Sequence, residues 1–294
     1  MDNWAQILFN SAVTGSLYLL SAVALTLTYG LSRFPNFAHA EFMALGAYLG
    51  FAVSAQWGGP FVLSIVCAFL GAGLLGVACY KGIFAPLAKR GASLIHLMIA
   101  SMALGFIIRY IIAEIWTSAA RSFTISWPTY NLGPVRVYSE YIFLLAGALI
   151  AGVAMHLALT RTQVGRAIRA TSSNPQLAQA SGINTTKVLL TTWFLSAGLA
   201  GIAGLFQGAP TFIKPIMGWN ILLPVFAVTV LGGIGSFYGA IVAAFVIGLA
   251  ENVGVVFLTQ FGLSTDYRAA ISFIILIVVL LFKPEGLTRL FKGN

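Results

Sequence analysis

TRTQVGRAIRATSSNPQLAQASGIN, residues 160–184, is a basic, polar interval in a chain that is apolar almost everywhere else. Its isolation decides the fold class. Of 294 residues, 59% are hydrophobic and 8% charged, against roughly 25% charged in an ordinary soluble domain. On either side of the interval, apolar runs of about 20 residues, enough to cross a ~30 Å hydrocarbon core as helix, recur without a soluble-domain-sized gap. The sequence therefore predicts an all-α polytopic membrane protein, a bundle of about eight to nine transmembrane helices forming a single domain over 1–294.

Hydropathy and Gly/Pro punctuation place the spans at 7–30, 37–54, 60–80, 93–116, 139–160, 188–208, 221–231, 237–258 and 268–282. The first run is too long for a removable signal and lacks a basic region after Met1. If every span counts, Arg33, Lys81, Lys89, Arg90, Arg161, Arg166, Arg169, Lys187, Lys283, Arg289 and Lys292 share one side, which makes that side cytoplasmic. The N-terminus is then outside and the C-terminus inside. Arg121, Arg136, Lys214 and Arg268 fall in the opposite loops with Asp2, Glu140 and Asp266. Topology thus accounts for the net charge of +9, and basic residues scattered over separate loops with no nucleic-acid motif exclude a nucleic-acid partner. Cys67 and Cys79 lie about 18 Å apart on one predicted helix, too far for a disulfide. No second ligand at metal spacing accompanies His96 or His156, so no metal site is expected, and no motif points to a cofactor.

Within 160–184, Ser173 or Asn174 reads as an N-cap, Pro175 as the first helical residue and Gly182 as the stop, which predicts a short helix over 175–181. Leu177, Ala178 and Ala180, with Ile183 beyond, give that helix a small apolar surface. Two solutions cover it equally well on physical grounds: a partner protein, or the bilayer surface with Arg161, Arg166 and Arg169 on anionic lipid.

Two regions break the apolar pattern: SRFPNFAHAE (32–41) and LGGIGS (231–236). Interrupted segments in two halves of a chain point to a transport site, because unwound backbone at membrane depth is tolerated where it lines a cavity or is buried in protein. Candidate pathway residues are Asn36, His39, Glu41, Gln207, Gly232, Gly233, Glu251 and Asn252. Asn36 suits a cap of the second helix. For His39, Glu41, Glu251 and Asn252, pathway and interface-anchor roles stand level. Arg109 and Glu114 are five apart, off one helical face, and Arg109 is expected to snorkel outward. Gly71, Gly73 and Gly76, and Gly198, Gly201 and Gly204, read as small-residue helix contacts. Gln207 and the loop 210–219 fall at the outer mouth.

The sequence resembles the permeases of branched-chain amino acid ABC importers. The resemblance rests on YGLSRFPNFAHAEFMALGAYLG (29–50), GRAIRATSSNPQLAQASGIN (165–184), VLGGIGSFYGA (230–240), IGLAEN (247–252) and KPEGL (283–287), in order over nearly the whole chain. It implies that residues 161–187 are a cytoplasmic coupling loop, with Arg166, Arg169, Asn174, Pro175, Leu177, Ala178 and Gly182 engaging an ATPase. The chain has no G-x-x-x-x-G-K-[ST] loop, so hydrolysis belongs to separate subunits. Implied partners are a second, related permease subunit, two cytoplasmic ATPase subunits, a periplasmic binding protein and a small polar solute, in a bacterial inner membrane. Two departures stand out: Ala40 where the family usually carries Gly, and Pro224 where it often has a basic residue. The second keeps open a urea-like or short amide substrate, or an aromatic acid, beside an amino acid. A stand-alone ion-coupled transporter remains the alternative class, although the chain offers few intramembrane carboxylates for a relay.

Overall fold

The computed structural model describes residues 4–123 and 128–282. Asp2, Lys283, Arg289, Lys292 and the 283–287 motif lie outside the described residues. Each predicted span contains a helix: α1 (Trp4–Ser32), α2 (His39–Phe51), α3 (Phe61–Cys79), α5 (Leu94–Trp116), α6 (Ser139–Arg161), α9 (Thr185–Gly208), α10 (Met217–Gly232), α11 (Phe237–Gln260) and α12 (Arg268–Phe282). Among the described residues, seven helical segments are long and apolar enough to cross a membrane, whereas α10 is shorter and α2 reaches Gln56 only through a π-helical turn. A second π turn, Tyr80–Phe84, carries α3 into α4 (Ala85–Lys89). Between α6 and α9 lie α7 (Gln163–Ser173) and α8 (Pro175–Ala180), and before α6 a hairpin of β1 (Thr129–Leu132) and β2 (Val135–Tyr138). The hairpin and the α7–α8 loop thus mark opposite ends of α6, and of the bundle.

Burial sorts the helices into an inner group and a lipid-facing ring. In α1 and α9, two-thirds of the most apolar window is buried, against 6% for the last span. Small residues bring the inner helices together. A Cβ on Gly204 would overlap the Met43 carbonyl, one on Gly46 the backbone of Gly201, and one on Gly76 the Ala197 side chain. Backbones therefore touch where α2 and α3 cross α9, as glycine-rich membrane interfaces allow. Gly73 and Gly198 receive the rings of Phe194 and Phe69, and Gly71 faces Leu49, in line with the sequence expectation.

Both predicted interruptions are present. The chain leaves α1 at Ser32, and Arg33 takes a left-handed backbone (φ 58°) before α2 starts at His39. The Phe37 N–H donates to Ser101 Oγ at 3.0 Å, and Ser101 lies seven residues, about 11 Å, along α5 from Leu94. The α2 helix therefore begins inside the bundle instead of at its end. The second interruption is different: Gly233 and Gly235 have φ 89° and 81° in a tight turn that packs Gly232 on Gly239 and brings Gly235 beside Gly30. That turn sits at the end of α1, level with the α7–α8 loop.

Candidate functional site

Two carboxylates are fully buried among the spans, and each has found an arginine. Glu41, on the first turn of α2, accepts from Arg109 Nε at 3.1 Å and also from its Nη2. The Arg109 guanidinium lies 5.1 Å from the Trp219 ring and 5.4 Å from the Phe106 ring, so aromatic faces share the task of holding the cation. The expectation that Arg109 snorkels outward is corrected: a carboxylate 68 positions earlier in sequence gives its charge a partner inside the protein, which outweighs reaching for water.

Glu251, on α11, accepts at both oxygens. Its Oε2 accepts from Tyr18 OH at 2.7 Å and from Arg268 Nε at 2.8 Å, and Oε1 accepts from Ser272 Oγ. Arg268 Nη2 also donates to Thr14 Oγ1 at 2.9 Å, and the same hydroxyl accepts from Asn252 Nδ2 at 3.0 Å. One network therefore ties α1, α11 and α12.

This network borders a cavity of about 350 Å³, at the small end of the range for ligand sites. Thr14, Gln207, Asn220, Glu251, Asp266 and Arg268 supply its polar lining. Leu17, Leu144, Phe206, Ile221 and Pro224 supply apolar wall. Pro224 has no N–H to offer the Asn220 carbonyl one turn earlier, and both residues line the cavity. Gln207 Nε2 donates to the Met217 carbonyl at 3.4 Å, while its buried Oε1 has no partner among the described residues.

Of the pathway candidates, Gln207 and Glu251 line this cavity and Asn252 braces it through Thr14. Asn36, His39 and Glu41 form a separate group at the start of α2. There Asn36 Oδ1 accepts from the Ala38 N–H at 3.1 Å, shaping the turn into α2 without acting as its N-cap, which is Ala38. Asn36 Nδ2 and Glu41 Oε2 are buried without partners among the described residues, and the buried His39 ring faces the Ser21 backbone. Gly232 and Gly233 belong to the α10–α11 turn and do not line the cavity. Ala40 is buried with its carbonyl against Gly218, so the small residue that lets α2 approach α10 comes from α10.

The α7–α8 loop follows the predicted chemistry closely. Asn174 is the N-cap of α8, its Oδ1 accepting from Gln176 and Leu177 N–H at 3.1 and 3.0 Å, and Pro175 opens the helix. Gly182 (φ 83°) closes it, with Ile183 N–H on the Ala178 carbonyl and Gly182 N–H on that of Gln179, both at 3.0 Å, the paired bonds of a Schellman stop. Leu177 is 63% exposed, but Ala178 is 4% exposed and turned into the chain, so it is not part of the outward surface expected of it. Arg169 donates to the Leu159 carbonyl at the end of α6, and Arg166 is exposed.

Missed by sequence reasoning were Arg109, Arg268 and the helix α7. Two lone intramembrane carboxylates and two lone arginines near spans were the available signal, since each charge in lipid needs a partner.

A helical bundle with glycine-tight crossings, interrupted helices and a charged cavity among its spans is the build of a multi-pass membrane transport protein. Residues 7–280 match the family described as the branched-chain amino acid transport system permease component, and the chain belongs to that family. It is 33% identical over 96% of its length, and 91% of the relative's, to the probable branched-chain amino acid transport permease protein LivH of Methanocaldococcus jannaschii. It is 28% identical to the high-affinity permease proteins LivH of Escherichia coli (96% of this chain, 94% of that one) and BraD of Pseudomonas aeruginosa (97% and 95%). In fold it resembles PsaBC from Streptococcus pneumoniae in complex with Fab, with TM-score 0.50, 15% identity, and coverage of 97% of this chain and 94% of that one.

Proposed function

We propose that this chain is the permease subunit of an ATP-driven importer that moves a branched-chain or closely related amino acid across a bacterial inner membrane. The observation that carries this reading is the end-to-end match to LivH and BraD, proteins named for that transport. The chain itself catalyses no reaction. A periplasmic binding protein delivers the solute, a second permease chain completes the pathway, and two cytoplasmic ATPase subunits drive it. The 161–187 loop is the coupling element: α8 is rigidly capped at both ends and presents Leu177 outward, as a handle for a separate subunit requires. With that end cytoplasmic, the hairpin end and the loop 210–219 face outside.

Pro224 raised an amide or aromatic acid as substrate because a cation expected near that position is absent. Arg268 supports the amino acid reading, since it brings a guanidinium to the same cavity from α12. Uptake into proteoliposomes holding the full complex, compared across leucine, isoleucine, valine, urea, acetamide and benzoate, tests the assignment. ATP-dependent accumulation of the three aliphatic amino acids is expected. Accumulation of urea, acetamide or benzoate in their place would overturn it.

A further inference from the structure

The cavity is lined by residues of both charges, Asp266, Glu251 and Arg268, together with apolar residues. Arg268 spends Nε on Glu251 and Nη2 on Thr14, while Nη1 has no hydrogen-bond partner among the described residues, and the side chain is 37% exposed. Glu251 is engaged at both oxygens, by Tyr18 and Arg268 at Oε2 and by Ser272 at Oε1. It serves to fix the guanidinium. Asp266, two residues before Arg268, also lines the cavity; its Oδ2 accepts only from Ser264 Oγ, at 2.9 Å.

Resting on the amino acid reading above, we propose that this cavity is a subsite for a zwitterionic aliphatic α-amino acid in transit. Arg268 receives the α-carboxylate, Asp266 receives the α-ammonium, and the side chain lies along Leu17, Leu144, Phe206, Ile221 and Pro224. A neutral amide would leave the Asp266 carboxylate without a cation and bring no carboxylate to Arg268, and a simple carboxylic acid would meet Asp266 with like charge. Neither uses the two opposite charges and the apolar wall together. The arrangement also gives Pro224 a role, because it adds apolar wall to the cavity.

Binding of leucine to the purified permease–ATPase complex in nanodiscs, without the binding protein, tests this. Competitors are isopentylamine, which lacks the carboxylate, and 4-methylpentanoate, which lacks the ammonium. Wild type should bind leucine saturably, with each analogue weaker by about tenfold or more, the weight of one charge-assisted hydrogen bond. Asp266→Asn should weaken leucine by about tenfold and not weaken 4-methylpentanoate. Arg268→Lys, which keeps a cation beside Glu251 and so protects the fold, should weaken leucine and 4-methylpentanoate alike but not isopentylamine. Equal leucine affinity in wild type and both variants, or analogues that bind as tightly as leucine, would overturn the subsite. That failure is separable from failure of the functional reading, which shows instead as no amino acid uptake by the wild-type complex.

Discussion

Arg109 on α5 and Glu41 on α2 form an ion pair that fixes where the interrupted second helix begins. Their side chains are 12% and 1% exposed, and Trp219 of α10 packs against the guanidinium. Three helices therefore meet at one charge. Removing one partner of a buried pair costs about 3–5 kcal/mol, because the other charge is stranded. Arg109→Met should lower the thermal unfolding midpoint of the detergent-purified protein, and adding Glu41→Gln should recover part of the loss. No recovery in the double variant would mean that Arg109 acts through its aromatic contacts alone.

Leu177 and Ala178 are adjacent on α8 but look in opposite directions. Leu177→Asp should leave membrane insertion and melting temperature unchanged while the ATPase subunits cease to co-purify. Ala178→Asp should instead destabilise the loop, since it buries a carboxylate with no partner beside it. Equivalent behaviour of the two variants in a pull-down with a melting curve would contradict this division.

Ser172 of α7 donates to the Gly30 carbonyl of α1 at 3.0 Å, and Gly235 packs on the same glycine. This contact joins the polar loop to the end of α1 just before the chain unwinds. Gly30→Val adds methyls beyond a Cβ position already 3.4 Å from Gly235 and 3.7 Å from Ser172, which should crowd this junction, and ATP hydrolysis by the complex should continue with several-fold less solute moved per ATP. A wild-type transport-to-hydrolysis ratio would show that movement reaches α1 elsewhere.

Gly204 admits the Met43 carbonyl where α2 crosses α9. Gly204→Leu should cost at least the about 1–3 kcal/mol typical of overpacking, because backbone cannot yield as a side chain can. A loss of folded protein in detergent, read by size-exclusion chromatography and thermal melting, is expected, whereas Gly152→Leu should be tolerated because nothing lies within 4 Å of its Cβ position.

Much of this was legible in the sequence for identifiable reasons. Span positions follow from hydropathy, and the caps of α8 follow from Asn174, Pro175 and Gly182, whose chemistry is local. The interruptions at 32–41 and 231–236 were visible as Gly, Pro and polar residues, but their depths were not: the Phe37–Ser101 bond sets one inside the bundle, and the Gly235–Gly30 contact sets the other at its end. The pairings Glu41–Arg109 and Glu251–Arg268 escaped because they join different helices, and no spacing rule along one helix connects them. Ala178 turned inward for a similar reason: a six-residue helix shows too little periodicity to reveal which face is covered.

On the function proposed above, solute passes through this chain only when separate ATPase subunits grip the 161–187 loop. Radiolabelled leucine uptake into proteoliposomes, supplied with binding protein, measures it directly when the permease chains are reconstituted with and without the ATPase subunits. Uptake that requires both ATP and those subunits, and that is lost on Leu177→Asp, is the predicted result. Accumulation driven by an ion gradient through the permease chains alone would contradict it.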